Sequence, residues 1–344
     1  MSLTSKKYIL LFATLLIIVL IDRLLLLNFE LPLWEWDEKL HYKHRRNITR
    51  NWNDYNKKPI IINEYGQHDD SYPLRKGERE LRILNLGDSI TMGHGVTKDE
   101  TYSKYLEIIL SDSLKNFQTI QAINTGVQGY STFQELEVLR NLLYLQPDFV
   151  TLGFCLNDIT EPFKVNKNLG GTGLDYHRVT QAQNKFLSYI INETGFGRLI
   201  QEIRIRQINA HQAKDDEINE IKKMLLHKDD TVYQAQFNFT LNKLSEIISL
   251  CNDRGISIII LIFPYTFQVD SNLRWVQDIL RKELNEHGVP CIDFLELFEN
   301  ITRSDANKLK QYYLDEDHLT PFGHKIVAME ISKIIFNELR STVH

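Results

Sequence analysis

Apolar residues in this chain fall into three kinds of run, and each kind predicts a different element. The first is unbroken. From Tyr8 to Ile21 there is no charged residue, and Leu24–Leu27 resume the run after Asp22 and Arg23. Together these are about 20 residues, which at ~1.5 Å rise per residue reach the ~30 Å of a bilayer core. Lys6 and Lys7 precede the run, and Trp34 and Trp36 come after it at a depth suited to a membrane interface. No small-x-small cleavage site is found after the run, so the expectation is an uncleaved signal-anchor over residues 1–28 rather than a removed secretory signal. With the two lysines inside, a single-pass protein with its main domain extracytoplasmic is expected, although Arg45 and Arg46 on the far side weaken that asymmetry.

The second kind of run is short and apolar on both faces. Leu81–Leu86, Ile120–Ile123, Phe149–Phe154, Ile256–Phe263 and Val289–Ile292 read as buried strands. The third kind has helical spacing and covers Tyr102–Leu114, Phe133–Leu145, Phe237–Cys251, Leu273–His287 and Pro321–Leu339. Thr97 and Glu100 form a capping-box pattern ahead of the first of these helices. Strand–helix alternation predicts an α/β fold, a three-layer α/β/α sandwich with a mostly parallel sheet over residues 81–340. Two stretches interrupt it. Residues 29–80 are polar and aromatic without a sustained period and read as a juxtamembrane segment. From about 163 to 236, Gly170, Gly171 and Gly173 are followed by amphipathic stretches such as Arg198–Ile208. That region reads as a helical insertion, either a cap over the site or a peripheral subdomain.

Composition narrows the function more than the fold. The chain has 344 residues, a hydrophobic fraction of 43% and a charged fraction of 25%, as in an ordinary globular protein. A formal net charge of −5 supplies no basic field for nucleic acid. Cys155, Cys251 and Cys291 lie far apart, with neither metal-ligand nor disulfide-framework spacing, and no cofactor or metal is expected.

In an open parallel sheet the ligand sits beyond the carboxyl ends of the strands. Gly87-Asp88-Ser89-Ile90-Thr91 stands at the first such end, where a serine would project at the sheet edge. A hydroxyl needs a base to become a nucleophile. Of the 11 histidines, His318 alone has an aspartate three residues before it, Asp315, and it lies just ahead of the helix start Thr320-Pro321. Such a carboxylate can accept the Nδ1 proton and leave Nε2 facing a serine. Gly129 lies after the second strand and Asn157 after the third, where a backbone N–H and a side-chain amide could stabilise an oxyanion. Met92 and His94 are candidates to line an acyl pocket, and Tyr265 to wall the site.

Taken in order, Gly87–Thr91, Gly129, Asn157-Asp158 and Asp315-x-x-His318 resemble the SGNH hydrolases, also called GDSL esterases, whose sheet is flavodoxin-like. The resemblance spans roughly residues 81–340. It implies a serine ester hydrolase with Ser89 as nucleophile, His318 as general base and then acid, and Asp315 orienting it. The Ser89 N–H, the Gly129 N–H and the Asn157 side chain would form the oxyanion hole. One position departs from the family pattern, since Cys155 stands where Gly is usual before x-Asn-Asp. A Cys155 nucleophile is disfavoured because strand-end cysteines are usually buried. The α/β-hydrolase elbow Gly-x-Ser-x-Gly and the dinucleotide fingerprint Gly-x-Gly-x-x-Gly are both missing around Ser89. The expected substrate is an acyl or acetyl ester, with an extracytoplasmic glycan as its carrier. Acyl transfer to a polysaccharide and an inactive glycan-binding scaffold are the alternatives.

Overall fold

The structure, a computed structural model, describes residues 3–29, 31, 33–51, 58–165, 185–207, 210–269, 271–303 and 306–341. Its internal contacts divide the chain into two units. One comprises the described residues within Met1–Arg45 and Thr172–Asp216, the other those within Arg46–Gly171 and Glu217–His344.

The first unit begins with a 26-residue helix, Leu3–Asn28. Within the span Thr4–Asn28 an 18-residue stretch has a mean hydropathy of 2.7 and is not buried, so the helix is long and apolar enough to cross a membrane. Strands β1 (Trp34–Asp37) and β2 (His41–His44) come next as an antiparallel hairpin. Helices Lys185–Glu193 and Gly195–Gln207 and the start of Ala210–Leu226 also belong to this unit, Gly195–Gln207 packing on the long first helix.

The second unit opens with another antiparallel hairpin, β3 (Ile48–Asn51) and β4 (Pro59–Ile62). The stretch read as a juxtamembrane segment without a sustained period thus holds two antiparallel strand pairs. Their strands are four residues long, and β2 buries His44 as fully as Tyr42, so no hydrophobic alternation announces them. Residues up to 80 also reach the core: Tyr72 packs into it, and the His68 ring contacts the Met92 carbonyl at 2.9 Å.

A five-stranded parallel sheet forms the centre of this unit, built from β5 (Glu80–Gly87), β6 (Thr119–Asn124), β7 (Phe149–Cys155), β8 (Ser257–Phe263) and β9 (Cys291–Asp293). The spatial order is β6-β5-β7-β8-β9. Every residue of β5 and β7 is buried, the polar Arg82 and Asn85 of β5 included, as in a parallel sheet covered on both faces. Reversal of direction after β6 sends helices to both faces of such a sheet. Accordingly Tyr102–Ser113 packs with Pro321–Ser341, while Thr132–Leu142 packs with Thr231–Asn252. The Thr97–Glu100 box is present, but it caps only the short turn Lys98–Glu100; Thr101 caps the helix proper. Of the expected insertion, the glycines at 170, 171 and 173 lie outside the described residues. Its later part is built into the core, where Ile218, Ile221 and Met224 are buried.

Candidate active site

The order β6-β5-β7 places three strand ends side by side at the reversal point of the sheet, the usual ligand crevice of such folds. β5 ends on Gly87, whose φ of +152° few other residues adopt. A Cβ there would come within 2.0 Å of Thr91 Oγ1, so glycine is what lets the chain double back. Asp88 then caps a single helical turn, Ser89–Met92, its Oδ1 accepting from the Ile90 N–H at 2.9 Å. Ser89 is the first residue of that turn.

His318 arrives from the far end of the sequence. Its loop is organised locally, because Asp315 Oδ1 accepts from the N–H groups of Asp317 (3.1 Å) and His318 (2.8 Å). Thr320 caps the next helix through the Gly323 N–H, as expected. The second carboxylate oxygen, Oδ2, lies 2.7 Å from His318 Nδ1, and Nε2 lies 3.0 Å from Ser89 Oγ. A carboxylate only accepts, so Nδ1 carries the proton and Nε2 is left to accept from the serine. Asp317 Oδ1 stands 3.3 Å from the same Nδ1. Asp315, Asp317 and His318 are the one group among the described residues whose donor atoms could meet on a metal. The nitrogen they share, however, is the one the Asp315 contact engages.

The other expected donors occupy neighbouring strand ends. The loop after β6 folds over the end of β5, with the Val127 N–H donating to the Gly87 carbonyl at 3.2 Å, and Gly129 at its tip has φ +67°. Asn157 opens the helix after β7, and its Nδ2 lies 3.4 Å from Asp88 Oδ2. That contact is long for a hydrogen bond, which keeps the amide available to an incoming oxyanion. Cys155, the residue that departs from the usual pattern, is fully buried, and burial pushes its thiol well above the ordinary value. The structure therefore offers no thiolate there.

Other expectations are revised. Met92 is fully buried under the turn rather than lining a pocket, its carbonyl also accepting from Asn124 Nδ2 at 3.3 Å. Tyr265 is buried as well, its hydroxyl donating to Glu217 at 2.7 Å. His94 does face the site: its ring packs against that of His318 with centroids 4.3 Å apart and the planes tilted by 32°, and its Nδ1 contacts the Gln128 side chain, next to Gly129.

Asp88 has the sequence signature of a turn residue only, and no pattern marks its burial. Desolvation raises its carboxyl to about 6, outweighing the Ile90 N–H that favours ionisation. The carboxyls of Glu135 and Asp158 are both buried too, and desolvation raises both well above normal. A folded-state value of about 6 against 3.8 for the free group has a definite sign. The folded chain binds the extra proton, so stability falls as pH rises through that window and is flat above it. Urea unfolding should therefore show wild type losing stability relative to Asp88→Asn between about pH 4 and pH 6. A difference that is constant over that range would contradict burial as the cause.

A hydroxyl, an imidazole and a carboxylate thus lie in hydrogen-bonding series at the carboxyl ends of the parallel strands. The chain belongs to the GDSL-like lipase/acylhydrolase family, whose model matches residues 86–326. It is thus a carboxylic ester hydrolase by family. Among solved structures it is similar to a putative lipolytic protein of the G-D-S-L family from Desulfitobacterium hafniense DCB-2, at 10% identity and TM-score 0.42, covering 74% of this chain and 98% of that one. It is also similar to an acetylxylan esterase from Geobacillus stearothermophilus, at 12% identity and TM-score 0.46, covering 74% and 93%. A two-domain esterase active on acetylated mannans aligns at 13% identity and TM-score 0.42, covering 75% of this chain and 49% of that one. No curated protein matches the sequence.

Proposed function

We propose that Ser89 is the nucleophile of an acyl-enzyme mechanism, with His318 as its base and Asp315 as the group that orients it. The series Asp315 Oδ2–His318–Ser89 Oγ, with steps of 2.7 and 3.0 Å, carries this reading. In the first step Nε2 takes the serine proton as Oγ attacks the ester carbonyl. The imidazolium that forms is stabilised by the adjacent carboxylate and returns the proton to the leaving alkoxide. Water, deprotonated by the same nitrogen, then releases the acyl group as a carboxylic acid and restores Ser89. The Ser89 N–H, the Gly129 N–H and Asn157 Nδ2 are the proposed oxyanion donors. If so, Asn157→Ala lowers kcat by about 10²–10³ with little change in KM, as loss of one such donor does. An unchanged kcat would remove Asn157 from the mechanism.

The proposed substrate is an O-acetyl ester on an extracytoplasmic glycan. Support comes from the apolar first helix behind Lys6 and Lys7, which favours export of the rest of the chain. A series of p-nitrophenyl esters tests the acyl part, with acetate expected to be turned over faster than octanoate. Preference for the long chain would point to a lipid ester instead.

A further inference from the structure

The unit formed by the described residues within Met1–Arg45 and Thr172–Asp216 carries two helices that turn large apolar side chains outward. In Lys185–Glu193 the side chains facing outward include Phe186 (74% exposed), Tyr189 (62%) and Ile190, whereas Asn192 is buried. In Gly195–Gln207 the exposed residues include Phe196, Ile200 (51%) and Ile203. Spacings of three, four and seven residues put each set on one helix face. A helix in water turns such a face to its core. Here six large apolar side chains on consecutive helices turn away from it, more than scattered surface apolarity accounts for.

Their position is as informative as their chemistry. Thr194 alone joins the two helices, donating to the Ile190 carbonyl at 2.6 Å and accepting from the Gly197 N–H at 3.0 Å. The second helix starts directly against the long first one. The Phe196 N–H donates to Asp22 Oδ1 at 3.1 Å, and a Cβ on Gly195 would come within 2.0 Å of the Asp22 carbonyl oxygen. Arg198 donates to the Phe29 carbonyl at 3.0 Å. Counted from Tyr8, Asp22 lies ~21 Å along the helix, short of the far boundary of a ~30 Å hydrocarbon core. A carboxylate at that depth needs a partner, and the positive end of a helix supplies one.

We propose that Phe186, Tyr189, Ile190, Phe196, Ile200 and Ile203 are embedded in the leaflet where the first helix ends, so that the partner of this face is lipid. The proposal rests on reading Leu3–Asn28 as a membrane anchor. Continuity selects lipid over other occupants. Exposed Leu24 and Leu27 lie on the same end of the first helix that Gly195 abuts, and the medium that covers them extends over Phe196. The geometry also gives intramembrane Asp22 a structural task, as the N-terminal partner of the second helix.

Nitroxide labels on single cysteines test this in the full chain reconstituted into phosphatidylethanolamine–phosphatidylglycerol vesicles, with half-buried Cys291 replaced by Ser. Sites 186, 200 and 203 are compared with Val19 in the first helix and with exposed Lys282. The expected result is a ratio of oxygen to nickel-chelate accessibility that matches Val19 and exceeds Lys282 several-fold. If Val19 reads as lipid while 186, 200 and 203 read as water, the proposal is overturned and the anchor stands. Should Val19 itself read as water, the anchor reading falls and takes the proposal with it. Low access to both reagents with spin–spin broadening would assign the face to a second copy of the chain, which also overturns it.

Discussion

Replacing Ser89 by alanine is expected to lower kcat for p-nitrophenyl acetate by about 10⁶. The magnitude reflects the roles proposed for Ser89 and His318. Without Oγ there is no acyl-enzyme, and His318 Nε2, 3.0 Å away in the wild type, has no serine proton to take. What survives is the proposed oxyanion donors and substrate binding, which in such sites alone retain modest rate enhancement. The substitution removes one oxygen from a small, buried side chain, so unfolding free energy should change by no more than about 1 kcal/mol. A serine-reactive fluorophosphonate is expected to label the wild type and not the variant. Labelling that persists in Ser89→Ala, or a folded wild type that never labels, would sink the mechanism. Cys155 cannot substitute, because its buried thiol is held protonated.

The second large effect concerns stability at the opposite end of the same strand. Arg82 is fully buried in β5, with its Nε 2.6 Å from Glu80 Oε1. Its guanidinium also donates to the carbonyls of Pro73 (2.8 Å), Leu145 (3.0 Å) and Leu74 (3.1 Å). Arg82→Met keeps most of the volume but strands the buried Glu80 carboxylate, leaving it the Gly77 N–H at 2.8 Å. Removing one partner of a buried pair costs about 3–5 kcal/mol. Replacing both, as Glu80→Gln with Arg82→Met, should recover part of that loss. Urea unfolding of the detergent-solubilised chain measures both, and a loss under about 1 kcal/mol for the single variant would contradict the assignment. Activity per folded molecule should be retained, since Arg82 lies near the start of β5 and Ser89 just past its end.

The five sheet strands were legible to within a residue or two, most directly β7 and β8, whose positions are almost all buried and apolar; β9 is only half-buried and is the most displaced, expected at 289–292 and running Cys291–Asp293. β8, expected at Ile256–Phe263, runs Ser257–Phe263. The hairpins before the sheet were not legible, since their inward positions include His44 and their strands are too short to show a period. Asp315 and His318 could be paired from sequence because the turn joining them is local, closed by Asp315 accepting two N–H groups within three residues. His94 and Asp88 are different. His94 acquires meaning only by packing against the ring of distant His318, and Asp88 only by burial.

The sequence by itself determined the α/β class, the long apolar first helix and the set of residues that now converge. Those properties depend on local periodicity and on short-range turns. Tertiary structure alone decided that Nε2 meets Oγ, that Asp88 is raised toward neutrality and that two helices of the first unit turn apolar faces outward. Hydrogen-bond reach and desolvation are set by neighbours from distant parts of the chain, and no local pattern encodes them.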